Sequence, residues 1–337
     1  MHGLVMAAML TLAVGAHTDT TLAVSNGTTL ELENYAGSIE VGTWSRNAVR
    51  IEAEHGRRAE VQVERRSGSL SISAESHMGT PTSADFKLTV PAWMTLKLSG
   101  VYCDITVSGT HAALDAETVQ GDVEVNGGEG HLSVQSVQGS VKVSNASGKI
   151  EVSSVNEGVA VDHVSGDLTA ESVNGKVEVR DAKLSSFEAS TVNGTLIYDG
   201  SFEKNGHYEM STHNGSVYVA IPANADLAVE ATTYAGSFES TFPIEKDRES
   251  TKKTHRYSVR LGSGSADLSI ESFQGSIVLH RPGEQVTGES EADEKSMIKI
   301  HSRPGKDPMD SKDWKDSKDS KDSKKKKDAD SDDDEGN

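Results

Sequence analysis

Only one cysteine, Cys103, occurs in the 337 residues, so no intramolecular disulfide exists and pairing says nothing about redox compartment. Its setting, Tyr102-Cys103-Asp104-Ile105, reads as a buried strand residue rather than a reactive thiol. Long apolar runs are also missing. The N-terminal run from Leu4 to Val14 is too short to span a bilayer. Apolar residues at the three- and four-residue spacing of an amphipathic helix are absent from the central part of the chain. The net charge is −19 and no basic stripe runs through the repeats, which argues against a nucleic-acid partner. Metal-site spacings such as His-x-x-x-His or paired cysteines do not occur, and His131, His163 and His213 share no repeat slot. The acidic stretch Asp330 to Glu335 lacks the spacing and glycine of a calcium loop. Nothing here assigns a catalytic, cofactor-binding or metal-ligating residue.

What the chain does have is a repeat. Between Val119 and Tyr198 a unit recurs every nine residues, opened by Gly121, Gly130, Gly139, Gly148, Glu157, Gly166 and Gly175. Counting these as position zero, position two reads Val123, Leu132, Val141, Ile150, Val159, Leu168, Val177, and position four reads Val125, Val134, Val143, Val152, Val161, Ala170, Val179. Positions two and four share one face of an extended strand, and the mostly polar residues between them face the other way. Position seven (Gly128, Val137, Ala146, Val155, Val164, Val173, Ala182) is expected to tuck inward at a corner. The glycine is expected at the corner for its access to positive φ.

A second period sits inside the first. The residue before the slot is an amide in every other unit, at Gln120, Gln138, Asn156, Asn174 and Asn193. The unit is therefore about eighteen residues with two strands, one coil of a parallel β-solenoid. Equivalent residues then stack ~4.8 Å apart and the amides form a ladder down one edge. The competing fold is an antiparallel sandwich of short hairpins, whose turns also favour Asn-Gly. Hairpins give no reason for one amide column to stay in register. The fold class expected is all-β, a single-stranded parallel β-solenoid of about 18–21 residues per coil with a disordered C-terminal tail.

Along the chain, residues 1–16 read as a signal peptide, the apolar run being followed by Val14-Gly15-Ala16. Met1-His2-Gly3 carries no Lys or Arg, so an ordinary first strand is the competing reading. Residues 17–98 alternate cleanly but loosely in period, as wider coils or as a sheet capping the solenoid. Residues 99–282 form the regular solenoid, lengthening after Tyr198 to about twenty-one residues per coil with Gly194, Gly215 and Gly236 as successive markers. Residues 283–337 form a charged low-complexity tail with tandem Asp-Ser-Lys. Glycosylation sequons at Asn26, Asn145, Asn193 and Asn214 are explained by turn chemistry.

The repeat Ser172-Val173-Asn174-Gly175-Lys176-Val177-Glu178-Val179 and its copies resemble the bacterial adhesin-like β-solenoid family. So do the Val90-Pro91 and Ile221-Pro222 junctions, each leading into an alternating strand. That family is related to head domains of auto-transporter adhesins and is otherwise of unknown function. The likeness spans roughly Thr29 to Leu279, and the Asp-Ser-Lys tail lies outside its pattern. It implies a non-enzymatic, extracytoplasmic scaffold that is secreted, periplasmic or at the cell surface, without stable membrane insertion. An envelope protein or a glycan would be its partner. The alternative is a carbohydrate-active β-helix enzyme with its site in the irregular N-terminal half or in the loops Asp199 to Gly206 and Phe242 to His255. Neither loop supplies the acidic cluster such chemistry needs, and the nine-residue units leave no room for a cleft.

Overall fold

The computed structural model describes residues 16–246 and 254–284. The signal-peptide reading of residues 1–16 and the tail therefore fall almost wholly outside the described residues, as does the middle of the Phe242 to His255 loop. Among the described residues every regular element is a β-strand.

The strands stack into eleven rungs, each contributing one strand to each of two opposed parallel faces. Rung 1 is Ser69–Ser76 with Ser83–Pro91. Thr29–Trp44 supplies both strands of rung 2 and Leu96–Thr110 both strands of rung 3. Rungs 4, 5 and 6 are Leu114–Gln120 with Val123–Gly127, Glu129–Gln138 with Val141–Ser144, and Ser147–Ser154 with Val159–Asp162. Ser165–Ser172 opens rung 7, and the long strands Val177–Thr191 and Leu196–Asn214 each close one rung and open the next, through rung 9. Register follows the sequence period: Val123 pairs with Val141, Val141 with Val159 and Val159 with Val177. The strand Val123–Gly127 pairs only in parallel, with rungs 3 and 5, as a solenoid requires and a hairpin forbids. The inward positions two and four are buried throughout and join one continuous core from Leu30 to Leu279. Alternation along the strand, not helix-type spacing, put them there.

Chain order and spatial order part company at both ends. After rung 9, completed by Val217–Ala220, the chain leaps outward to Leu227–Thr233 and Phe238–Ser240. It turns back in the antiparallel strand His255–Leu261 and then threads Ala266–Gln274 with Ile277–His280 into the gap. Gly236 therefore stacks on Gly275, and Gly275 on Gly215. This corrects the expectation that Gly194, Gly215 and Gly236 mark successive coils: Gly275 lies between the last two. At the other end rung 1 likewise lies outside rung 2. Antiparallel strands Ala48–His55 and Ala59–Arg66 flank its two strands, and Ala16–Ala23 flanks Ala48–His55. Residues 17–98 thus contain both parallel rungs and antiparallel closing strands. The two proline junctions are the same turn, with Met94 N–H donating to Pro91 O at 3.0 Å and Ala225 N–H to Pro222 O at 3.1 Å.

Two physical reasons, backbone conformation and close approach, select the corner glycines. Gly121, Gly130, Gly148 and Gly166 have positive φ, as the sequence-based expectation holds, whereas Gly139, Gly175, Gly194 and Gly215 do not and are selected by close approach instead. A Cβ on Gly139 would lie 1.8 Å from Gly121 O, and one on Gly215 1.8 Å from Gly194 O. Replacing Gly215 by Ala is expected to destabilise the fold by about 3 kcal/mol, because backbone cannot yield as a side chain does. Gly42→Ala, where an added Cβ meets nothing within 4 Å, should stay within about 0.5 kcal/mol. Urea unfolding of the two variants makes the comparison.

The C-terminal closure carries its own pH dependence. The Asp226 carboxylate accepts from the Ser263 hydroxyl, from the Gly264 and Ser265 amides, and is drawn from 3.8 down to about 2, the Ser263 bond being the largest cause. A depressed carboxylate stabilises the fold fully above its unfolded value and loses that contribution as pH falls through the folded one. The difference in Tm between wild type and Asp226→Asn should therefore be constant above pH 3.8 and shrink as pH approaches 2.

Candidate functional site

Position seven divides in two. Ala146, Val164 and Ala182 point inward and are buried. Val137, Val155 and Val173, also expected inward, point out to solvent. The reason is the serine or threonine that precedes them. Strand alternation lets only one of two neighbours face the core, and here the hydroxyl takes that place: Thr118, Ser136, Ser154, Ser172, Thr191 and Thr212 are buried. Each hydroxyl donates across the corner to the carbonyl of the preceding rung's slot: Ser136 to Gly121 O at 2.9 Å, Ser154 to Gly139 O at 2.8 Å, Ser172 to Glu157 O at 3.0 Å. Thr118, Thr191, Thr212 and Ser272 do the same on Cys103, Gly175, Gly194 and Gly215. Buried carbonyls need such partners. The inward hydroxyl is thus structural, and it turns the next side chain outward.

The consequence is a column of exposed apolar side chains down one edge. In spatial order it reads Tyr35, Val101, Val119, Val137, Val155, Val173, Val192, His213, Phe273, Tyr234, one residue from each of rungs 2 to 11. Beside it runs the amide column, which begins with Tyr102 and continues through Gln120 and Gln138. Of the eleven large apolar side chains exposed among the described residues, nine lie in these two columns, at 38–52 % exposure. His213 stacks flat on Phe273, centroids 4.7 Å apart, and Tyr234 leans on Phe273 at 5.5 Å. Tyr35 and Tyr102 meet edge-to-face at 5.7 Å.

The expected amide ladder forms over its upper half. Asn174 Nδ2 donates to Asn156 Oδ1 at 3.3 Å, Asn193 to Asn174 at 3.0 Å and Asn214 to Asn193 at 2.9 Å. Asn156 instead donates to Val137 O at 3.2 Å, which turns it away from Gln138. Gln120 and Gln138 remain in register. Asn193 and Asn214, two of the sequon residues, are engaged in this ladder. Asn145, at the opposite edge in left-handed conformation with φ 55°, donates to Asn126 Oδ1 at 3.0 Å.

On the other flank of the apolar column lies an outward column of Glu33, Ser99, Glu117, Gln135, Ser153, Glu171, Ser190, Ser211, Glu271 and Thr232. None of the three columns contains Lys or Arg. A groove of about 540 Å³ follows the join between the polar and apolar columns over rungs 2 to 6, walled at one end by Glu75 and Pro81. A second of about 360 Å³ lies beside Val192, His213 and Phe273. Asn34 lines the first groove. Its Nδ2 donates to Ala84 O at 2.8 Å while its buried Oδ1 has no partner.

Other chemistry-bearing groups sit elsewhere. Cys103 is buried, and burial pushes its thiol up to about 11, as the structural reading expects. Asp199 to Gly206 belongs to the strand Leu196–Asn214, not to an open loop. Tyr198 and Tyr208 stand inward at its two ends and pack with Phe187 and Phe202. Their hydroxyls are spent on main chain: Tyr198 donates to Ser201 O, and Tyr208 donates to Leu184 O and accepts from Glu203 N–H. Asp162, His163 and Asp181 come together at the opposite edge, a grouping eighteen-residue stacking makes and local sequence conceals. His163 Nδ1 lies 2.7 Å from Asp162 Oδ2, which raises the imidazole pKa, and its Nε2 lies 3.8 Å from Asp181. His163 and Asp181 are exposed and Asp162 is half-buried.

The buried hydroxyls were missed because serine and threonine read as outward polar residues, yet their eighteen-residue recurrence was visible. Ser154→Ala should cost about 2 kcal/mol through the carbonyl and the Glu157 amide it leaves short. Ser153→Ala, one residue away and facing out, should stay within about 0.5 kcal/mol in the same denaturation assay.

Comparison with known proteins adds the following. The model of the family described as Toastrack DUF4097 matches residues 10–280. No curated protein matches the chain. Among solved structures, a candidate cell adhesion protein from Clostridium sporogenes is 11 % identical, with 79 % of this chain and 99 % of that one covered and a TM-score of 0.21. A candidate adhesin from Bacteroides fragilis is 10 % identical, with 78 % and 97 % covered and a TM-score of 0.38. At these values neither likeness bears on function.

Proposed function

The chain belongs to the Toastrack DUF4097 family, and we propose that it is a non-enzymatic, adhesin-like recognition scaffold of the bacterial envelope that binds along its apolar edge. One observation carries this reading. Exposed apolar side chains scattered singly need no explanation, whereas a contiguous strip of them marks an interaction surface. Here nine of eleven fall on one edge of the described residues. The strip is held by inter-rung main-chain bonds at Val137, Val155, Val173, Val192, Phe273 and Tyr234, so little conformational freedom is lost there on binding. Catalysis would call instead for convergent ionisable groups in a water-excluding concavity. The grooves beside the strip are open: the first is lined by carboxylates, amides and hydroxyls, and the second adds His213 and Glu271, the imidazole being stacked flat on Phe273. Export of the chain, suggested by the apolar run ending at Ala16, puts the strip where an envelope partner could meet it.

The test is retention of purified protein on isolated envelopes of the source organism. The double substitution Val137→Asp, Val155→Asp should weaken retention about tenfold, as loss of a central apolar contact does. Lys142→Ala on the remote face should leave it unchanged. Melting temperatures matching wild type confirm that the solenoid is intact. Equal retention of all three proteins would refute the reading.

A further inference from the structure

We infer that the partner of the apolar edge is a linear, uncharged or amino-bearing glycan of β-linked hexopyranose units, lying along the solenoid axis with about one sugar per rung. The inference rests on the binding role proposed above and assigns its ligand class. Four features of the strip lead to it.

The first is cross-section. The strip has an apolar centre, Val119 to Val192, between an amide column and a column of hydroxyls and carboxylates. A β-linked glycan is a flat ribbon of the complementary section, with apolar C–H faces and hydroxyls along both edges. The amides that link Asn156, Asn174, Asn193 and Asn214 use one N–H per side chain in the ladder, which leaves the second N–H for a sugar hydroxyl. Glu117, Glu171 and Glu271 on the other flank accept from hydroxyls or ammonium groups.

The second feature is period. Rungs repeat at ~4.8 Å. Each hexopyranose of a β-1,4-linked chain advances by close to that distance and is turned half a revolution from the last, so every sugar falls beside a rung and every second one presents the same edge. In an extended peptide, same-face side chains recur at about 6.8 Å and fall out of step within two rungs. The third is the state of the main chain. Corner N–H groups such as those of Val155, Asn156, Val173 and Asn174 already donate to the neighbouring rung. A peptide therefore finds no free strand edge to extend, which is its usual source of affinity.

The fourth is charge and width. The strip and its flanks carry carboxylates and no Lys or Arg, which repels anionic polymers. It would also set two copies of the chain carboxylate against carboxylate in a face-to-face dimer. Nine rung intervals make a strip about 43 Å long. At one side chain wide, it falls well short of the ~800 Å² per partner that a stable dimer buries.

The experiment is isothermal titration of the full chain with cellohexaose and chitohexaose, their dimers, α-linked maltohexaose and polygalacturonate. At least one β-linked hexamer should bind, about tenfold tighter than its dimer because successive rungs act together. Val137→Asp, Val155→Asp should weaken it about tenfold. Maltohexaose and polygalacturonate should bind more weakly. Binding of neither β-linked hexamer, equal affinity for dimer and hexamer, or affinity unchanged in the double variant would each overturn the inference. So would sedimentation showing a wild-type dimer that the double variant breaks, since a second copy would then occupy the strip. The two levels separate cleanly. If the double variant loses the envelopes but no hexamer binds wild type, the edge is the binding surface and the ligand class is wrong. If the envelopes retain the double variant, the edge itself is not the binding surface.

Discussion

The spacing of one rung on the next is the constraint on which the rest depends. Parallel strands hydrogen-bond at a fixed ~4.8 Å, and at each corner the chain must turn within that thickness. At Gly121, Gly139, Gly175, Gly194, Gly215 and Gly275 the backbones come so close that a Cβ would overlap the carbonyl below, and between Gly121 and Gly275 Glu157 alone carries a side chain in that column. The carbonyls crowded into that corner lie out of reach of water, and the inward hydroxyls of Ser136, Ser154 and Ser172 satisfy them. Glycine and hydroxyl are two answers to one steric problem, and both recur every eighteen residues because the problem does.

A stack of parallel strands leaves an open edge at each end, where unpaired N–H and C=O groups invite another chain. This fold closes its ends by interrupting the stacking order. At the C-terminal end the chain places its outermost rung first, lays His255–Leu261 antiparallel against it, and fills the gap afterwards with Ala266–Gln274. At the N-terminal end Ala48–His55 and Ala59–Arg66 cover the two strands of rung 1 in the same antiparallel sense. Both closures use a proline turn, at Pro91 and Pro222, to carry the chain from one face to the other. Asp226 then pins the outer turn at Ser263 to Ser265.

The proposed binding edge follows from the corner chemistry. Because the hydroxyl occupies the inward place, the residue after it has nowhere to go but out, and in seven of the eight rungs that carry such a hydroxyl that residue is Val, Phe or Tyr. An apolar strip of that length invites association. Excess negative charge, including the carboxylates flanking the strip, opposes self-association while leaving a neutral partner free to approach. The interior is spent on closing the coil, and the recognition surface proposed above lies on one edge.

Much of this was legible in the residues. Period two along each strand, period nine between corners and period eighteen in the amides specify a parallel coil, its inward valines and the Gln120 to Asn193 column, because each is a repetition that stacking alone makes useful. The sequence by itself thus determined the coil, its core and its register through the regular rungs. Three things required the tertiary structure. The valines at position seven were assigned inward because hydrophobicity was weighed without the buried carbonyl that Ser136 or Ser154 must reach. Gly275 was not seen to separate Gly215 from Gly236, because a repeat states which residues are equivalent and says nothing of the order in which the chain visits the rungs. Asp162, His163 and Asp181 were not seen to gather, because their proximity is made by stacking. A local pattern records the strand's own alternation, whereas hydrogen-bond satisfaction at a corner and the closure of a free edge are settled only when separate parts of the chain compete for the same space.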